Sequence, residues 1–177
     1  MSNKTIKIAL FGKMRSGKDT VGKMLIEELG FKRYAFGDGI GAIIAEYFPQ
    51  DWAKGKPRGH YQLIGQTFRQ LDEEVWINYL LNKVEQDGAT RVVVTDGRQQ
   101  NESKRLKEEG YIIVKVEAPE EIRIKRILES GDTWTPEQLN HETELQVDLI
   151  TDCITIRNDR DLAYLRKQVE ALVGVLD

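Results

Sequence analysis

The segment Gly12-Lys13-Met14-Arg15-Ser16-Gly17-Lys18 has the spacing GxxxxGK, and its flanks constrain the fold more than any other feature of the chain. Before it stands an apolar run of strand length, Ile6 to Phe11. After it, Val21, Met24, Leu25 and Leu29 share one helical face, and Gly30 supplies a stop. A strand that feeds a glycine turn and then a helix can cradle phosphate. The glycines let successive N–H groups turn inward, the helix N-terminus adds the positive end of its dipole, and the lysine reaches the outer phosphates. Gly12, Lys13, Met14, Arg15, Ser16, Gly17, Lys18, Asp19 and Thr20 are therefore the candidate phosphate-binding residues. Asp19 stands where a hydroxyl residue usually follows such a lysine, with Thr20 one place later. Both offer hard oxygen ligands, so Mg²⁺ is expected here with the choice between them left open.

Such a loop belongs in an open α/β sheet, and the rest of the chain has that rhythm. Val92 to Thr95, Tyr111 to Val116 and Cys153 to Ile156 read as further strands, with Tyr34 to Phe36 a short fifth. Ile40 to Phe48, Tyr61 to Leu71, Glu74 to Val84, Glu102 to Glu109, Glu120 to Leu128 and Leu162 to Val173 read as helices, and Thr135, Pro136 and Gln138 start another. The expectation is one α/β domain over residues 1–177, with about five parallel strands and helices on both faces. Pro49 to Gly59, rich in Pro, Gly and Lys, is expected to be a mobile insertion, and Ser130 to Trp134 a shorter hinge-like break.

Charge and cysteine usage narrow the function. The 177 residues carry a net charge of −3, which gives no support to a protein that wraps nucleic acid. The total hides a division: residues 1–70 hold 12 Lys/Arg against 6 Asp/Glu, whereas residues 71–177 hold 14 against 23. The basic excess falls on Lys13, Arg15 and Lys18 of the loop, on Lys54, Lys56 and Arg58, and on Arg69, as expected of a local trap for small phosphates. One cysteine and two histidines provide neither a disulfide nor a zinc cluster. No apolar run approaches the ~20 residues of a membrane span, and no signal peptide is recognised. The expectation is a cytoplasmic chain with no nucleic-acid or membrane partner, for which a homodimer is a possible assembly.

Other polar residues fall where ligands bind in such sheets, outside the carboxyl ends of the strands. Asp96, after Val92 to Thr95, suits Mg²⁺ or its waters, and Arg98 suits a bidentate phosphate grip; a turn with a surface ion pair would use the same residues. Gln62, Gln66 and Arg69 form a polar stripe opposite Leu63, Ile64, Phe68 and Leu71, able to read a base edge and hold an acceptor phosphate, or simply the solvated side of an amphipathic helix. Asp38 is placed to orient or deprotonate an acceptor, or to cap a helix. Trp76 reads as core. Arg123 and Arg126 share a helical face before the Ser130 break and suit charge neutralisation during phosphoryl transfer, or surface pairing with Glu120 or Glu129. Asn158 follows the last strand on the ligand side.

Taken together, GKMRSGKDT, the Gln66/Arg69/Asp72/Trp76 helix pair, VVVTDGRQQNE, VEAPEEIRIKRI, Thr143-Glu144 and ITIRND resemble the phage-type deoxynucleoside monophosphate kinases, with dephospho-coenzyme A kinase a similar relative. The resemblance spans nearly the whole chain and implies a three-layer P-loop kinase fold. It also implies an acceptor-binding helical region at about residues 38–86 and a short lid at about 126–136. By the same resemblance Gly12 to Thr20 hold ATP phosphates and Mg²⁺, and Asp38, Arg69, Asp96 and Arg98 face the acceptor. Arg123 and Arg126 flank the lid, and Asn158 lies near adenine. The implied activity is transfer of the ATP γ-phosphoryl to a (deoxy)nucleoside monophosphate. A small-molecule kinase acting on dephospho-coenzyme A and a non-catalytic nucleotide-binding module are the alternatives.

Overall fold

The computed structural model describes residues 5–131 and 142–177. In chain order its strands are β1 (Ile6–Phe11), β2 (Lys32–Tyr34), β3 (Arg91–Gly97), β4 (Ile112–Glu117) and β5 (Ile154–Arg157). Its helices are α1 (Lys18–Glu27), α2 (Gly37–Tyr47), α3 (Pro49–Trp52), α4 (Arg58–Leu71), α5 (Val75–Asp87), α6 (Gln100–Glu108), α7 (Glu120–Glu129), α8 (Glu142–Asp148) and α9 (Leu162–Leu176). Both faces of β1 are buried, Ile6, Ile8 and Leu10 on one and Ala9 and Phe11 on the other, as in a central strand covered on two sides. β1 pairs in parallel with β3 and with β4, and β4 pairs in parallel with β5. The five-stranded parallel sheet has the order β2-β3-β1-β4-β5. The chain leaves β1 toward the β2 edge and crosses after β3 to the β4 side, so the end of β1 lies where the winding reverses and ligands collect.

The chain divides into two compact units, one made of the residues up to Arg33 and from Thr90 onward, the other of Tyr34–Ala89. In the first, Val21, Met24 and Leu25 of α1 and Leu165, Val169, Leu172 and Val173 of α9 pack on Ile6, Ile8, Leu10, Val93, Val114, Val116 and Ile156 of the sheet. The opposite face is covered in part by α6, whose Leu106 is fully buried and which packs on β1 and β4. Among the described residues no helix is long and apolar enough to cross a membrane.

The second unit departs from expectation in three places. The short strand ends at Tyr34 rather than continuing to Phe36, and α2 begins at Gly37. The cause is Asp38, whose carboxylate accepts the Ala35 N–H (3.0 Å) and turns the chain into the helix. The loop expected from Pro49 to Gly59 starts instead as α3, with Pro49 at its first position and Asp51 accepting from Lys54 Nζ (3.2 Å). On α4 the expected apolar face is not the buried one: Leu63 is 70% and Leu71 83% exposed. The buried line runs through Gly65, where a Cβ would lie 3.1 Å from Ile40 Cδ1 of α2. Trp76 Nε1 donates to Gly65 O (3.2 Å) and its ring stacks on Phe68 (5.3 Å), so helix contact follows the smallest residue rather than the leucines. Trp76 is core, as its position suggested. The helix start at Thr135, and the lid beyond Gly131, lie outside the described residues.

Candidate functional site

The chain turns immediately after β1, and glycine is required there for space. A Cβ on Gly12 would sit 2.6 Å from Ser16 Oγ and 2.8 Å from Val116 O. Gly17 has φ 99°, and a Cβ on it would fall 1.9 Å from Asn158 Nδ2. Between them Arg15 takes φ 60°, and the Ser16 N–H donates to Lys13 O (3.1 Å), closing the loop. Gly17 is the N-cap of α1, and no side chain caps that helix. The first-turn N–H groups of Lys18, Asp19 and Thr20 have no intrahelical acceptor, so they and the dipole of α1 face whatever anion enters the loop.

Lys18 is buried at this point, and its Nζ donates to Thr95 O at the end of β3 (2.5 Å). Burial pushes its pKa below the usual lysine range; the Asp19 carboxylate opposes that, Arg98 adds to it, and Asp96 opposes it. Those four side chains thus share one electrostatic neighbourhood, as the sequence led one to expect of the end of β3. Asp19 projects outward, with a side chain 98% exposed and 3.6 Å from Lys18 Nζ. Arg98 is held through its backbone: Glu102 Oε2 accepts the N–H groups of both Arg98 and Gln99 (2.9 Å each) at the start of α6.

Arg123, Arg126 and Asn158 touch the phosphate loop from outside it. Arg126 Nη1 donates to Arg15 O (3.1 Å) and Ser16 O (3.4 Å), and Nη2 to Asn158 O (3.1 Å). Asn158 Nδ2 donates to Ser16 O (2.9 Å), so its amide holds the loop. Arg123 is only 4% exposed; its Nη1 donates to Met14 O (3.3 Å) and lies 3.7 Å from Glu144. The pairing considered for these arginines is present, Arg123 meeting Glu120 (3.7 Å), and to it Arg123 adds the loop carbonyl and a buried carboxylate. A cavity of about 440 Å³ is lined by Gly12 to Thr20 together with Arg98, Arg126, Asn158, Arg160, Leu162 and Leu165.

Asp38, Gln62, Gln66 and Arg69 belong to the Tyr34–Ala89 unit. There Asp38 sits in the first turn of α2, Gln62 and Gln66 lie exposed on α4, and Arg69 is half-buried on the last turn of the same helix, its guanidinium near Gly65.

Two residues at the loop had been given no role: Glu144, quoted only within the Thr143-Glu144 pair, and Arg160. Glu144 is 2% exposed and its Oε2 accepts the Met14 N–H (2.8 Å). A glutamate three residues before the buried Val147, in the apolar register of a short helix, was the available signal. Arg160 lines the cavity with its guanidinium 4.6 Å from the Tyr164 ring, a placement that nothing in a turn-like Asn-Asp-Arg announces.

Several solved structures share this fold. They include a Thermus thermophilus protein (TM-score 0.63, 18% identity, 98% of this chain and 99% of that one). Another is a shikimate kinase from Acinetobacter baumannii in complex with shikimate (TM-score 0.58, 19% identity, 98% and 94%). A third is a gluconokinase from Sinorhizobium meliloti (TM-score 0.58, 17% identity, 97% and 93%). At these identities the likeness is one of fold, the P-loop fold that small-molecule kinases use. No curated protein sequence matches the chain. Residues 8–145, which run from β1 through the phosphate loop and Arg98 to Glu144, match the AAA domain family, and on that match over most of its length the chain belongs to it.

Proposed function

We propose that this protein is an ATP-dependent kinase that transfers the γ-phosphoryl to the phosphate of a (deoxy)nucleoside monophosphate, giving a diphosphate. The observation that carries the reading is the gathering of Lys18, Arg98, Arg126 and the uncapped N-terminus of α1 around one cavity. Passive nucleotide binding needs the loop but not two further guanidiniums, and phosphoryl transfer consists mainly of positioning and charge neutralisation. In this reading Lys18 and the loop N–H groups hold the outer phosphates, and Arg98 and Arg126 balance charge on the transferring group. Arg123, buried against Met14 O, keeps the loop in shape. Asp38, Gln62, Gln66, Arg69, Asp96 and Arg98 are assigned to the acceptor, with Asp38 orienting or deprotonating it.

Asp19, Thr20 and Asp96 are hard-oxygen donors suited to Mg²⁺. Such an ion would take its remaining ligands from water and phosphate. Bound Mg²⁺ would supply charge neutralisation between the outer phosphates. In this reading the enzyme works on a small-molecule nucleotide in the cytoplasm, with no nucleic-acid or membrane partner, and a homodimer is its candidate assembly.

The deciding experiment is a coupled assay of ADP release with Mg²⁺-ATP and dGMP, dTMP, dCMP or dAMP, with dephospho-coenzyme A, shikimate and gluconate alongside. Turnover of at least one monophosphate is expected. Turnover of only one of the other three compounds would replace the acceptor. ATP binding with no ADP release from any acceptor would leave a binding module.

A further inference from the structure

Glu144 stands at the junction of three groups of the site. Its Oε2 takes the Met14 N–H (2.8 Å), while Arg123, which faces that same oxygen at 3.7 Å, donates to Met14 O (3.3 Å). Both backbone groups of one loop residue are thus held by a buried ion pair. The other oxygen, Oε1, is buried with no hydrogen-bond donor, and Arg98 Nη1 lies 3.6 Å from it. A charged oxygen without a donor is costly in a buried place, and the half-exposed Arg98 is the cation beside it.

Resting on the kinase reading, we propose that Glu144 is a positioning residue that sets the phosphate loop and Arg98 in register for the triphosphate, one carboxylate oxygen holding each. The carboxylate supplies placement rather than net charge, because guanidiniums flank it on two sides. An amide in its place has one oxygen and one NH₂ group, so it can serve Met14 or Arg98 but not both.

The test is equilibrium binding of ATP by calorimetry to the wild type, E144Q, R98Q and E144Q/R98Q. E144Q is expected to weaken ATP binding about tenfold, the weight of one charged hydrogen bond, with binding still near one ATP per chain. In the R98Q background the same change should cost less than about twofold, since the group being positioned is gone. E144D keeps the charge beside Arg123 but is one methylene too short to span both partners; it should also weaken ATP binding, and it takes the place of E144Q in the cycle should the amide not fold. Variants that bind ATP as the wild type does, or an E144Q loss of equal size in both backgrounds, would overturn the proposal. A wild type that binds ATP yet phosphorylates no monophosphate rejects the acceptor reading while the cycle still judges Glu144. A wild type that binds no ATP rejects both.

Discussion

Replacing Gly17 by alanine strikes the one position where the loop, the last strand and α1 depend on the same missing atom. An L-residue must adopt φ near 99°, outside its allowed left-handed well, at a cost of about 1–2 kcal/mol. Its Cβ would stand 1.9 Å from Asn158 Nδ2, so the amide has to swing away and break its 2.9 Å bond to Ser16 O. Ser16 O keeps Arg126 Nη1 as its second donor (3.4 Å), so the lost amide bond costs only about 1 kcal/mol more. The sum is about 2.5 kcal/mol, which for a chain of this size lowers the melting temperature by about 7 °C. Urea unfolding of G17A, N158A and G17A/N158A checks the arithmetic. N158A alone should lose only the hydrogen-bond part, and the double variant should fall short of the sum by at least ~1 kcal/mol, because the clash needs both side chains. A G17A protein within ~0.5 kcal/mol of wild type, or strict additivity, would refute the reasoning.

Lys18 carries a prediction with two opposite signs. Its pKa is lowered chiefly by burial, so between the lowered and the ordinary value the unfolded chain binds the proton that the folded chain has lost. Stability of the ligand-free protein should rise with pH through that window, while ATP affinity, which needs the ammonium, falls through it. K18M should flatten both profiles and abolish phosphoryl transfer with the fold intact, as unfolding and turnover measured across pH would show. R126A removes the donor to Arg15 O, Ser16 O and Asn158 O and should weaken ATP binding about tenfold or more by calorimetry, with R126K, lacking the planar fork, recovering little. R69A should raise KM for the monophosphate about tenfold in the coupled assay and leave KM for ATP within twofold, a split that would reverse if Arg69 served ATP instead.

The sheet was legible because its signals are local. Ile6 to Phe11 forms β1 without a shift of either end, since an apolar run before a glycine turn has only one economical conformation. The phosphate loop was legible for the same reason. What the sequence hid were relations between distant residues. Nothing near Leu63 or Leu71 says that α4 will turn them outward; that follows from Gly65, the one place where Ile40 can approach closely. Asp38 was read as a cap or an acceptor ligand; it lies inside the first turn of α2, where Phe36 is the N-cap, and its hold on Ala35 N–H emerges only once the backbone is folded. Arg126 was read as a charge-neutralising arginine before the Ser130 break and Asn158 as lying on the ligand side of the sheet, but their grip on loop carbonyls depends on atoms more than a hundred residues away. Glu144 was visible as part of the Thr143-Glu144 pair and as a charge in an apolar register, but neither told what it holds.

The charge division acquires a narrower meaning from the geometry. The basic excess of the first 70 residues read as a local trap for small phosphates, yet Lys13 is bound to Asp148 (2.6 Å) and Lys54 to Asp51 (3.2 Å), outside the cavity wall in the second case. Of the cations that line the cavity, Lys13, Arg15 and Lys18 come from the basic part of the chain, and Arg98, Arg126 and Arg160 come from the acidic part. An acidic segment can supply the phosphate-facing arginines because the acids near them are committed elsewhere: Glu102 to the backbone of Arg98 and Gln99, Glu144 to Met14 and Arg123, and Asp161 to the N–H of Tyr164 at the start of α9. Net charge along the sequence therefore locates the loop but misplaces half of the electrostatics. The field a triphosphate meets is set by which carboxylates the fold has already occupied with backbone N–H groups and which guanidiniums that leaves facing the loop.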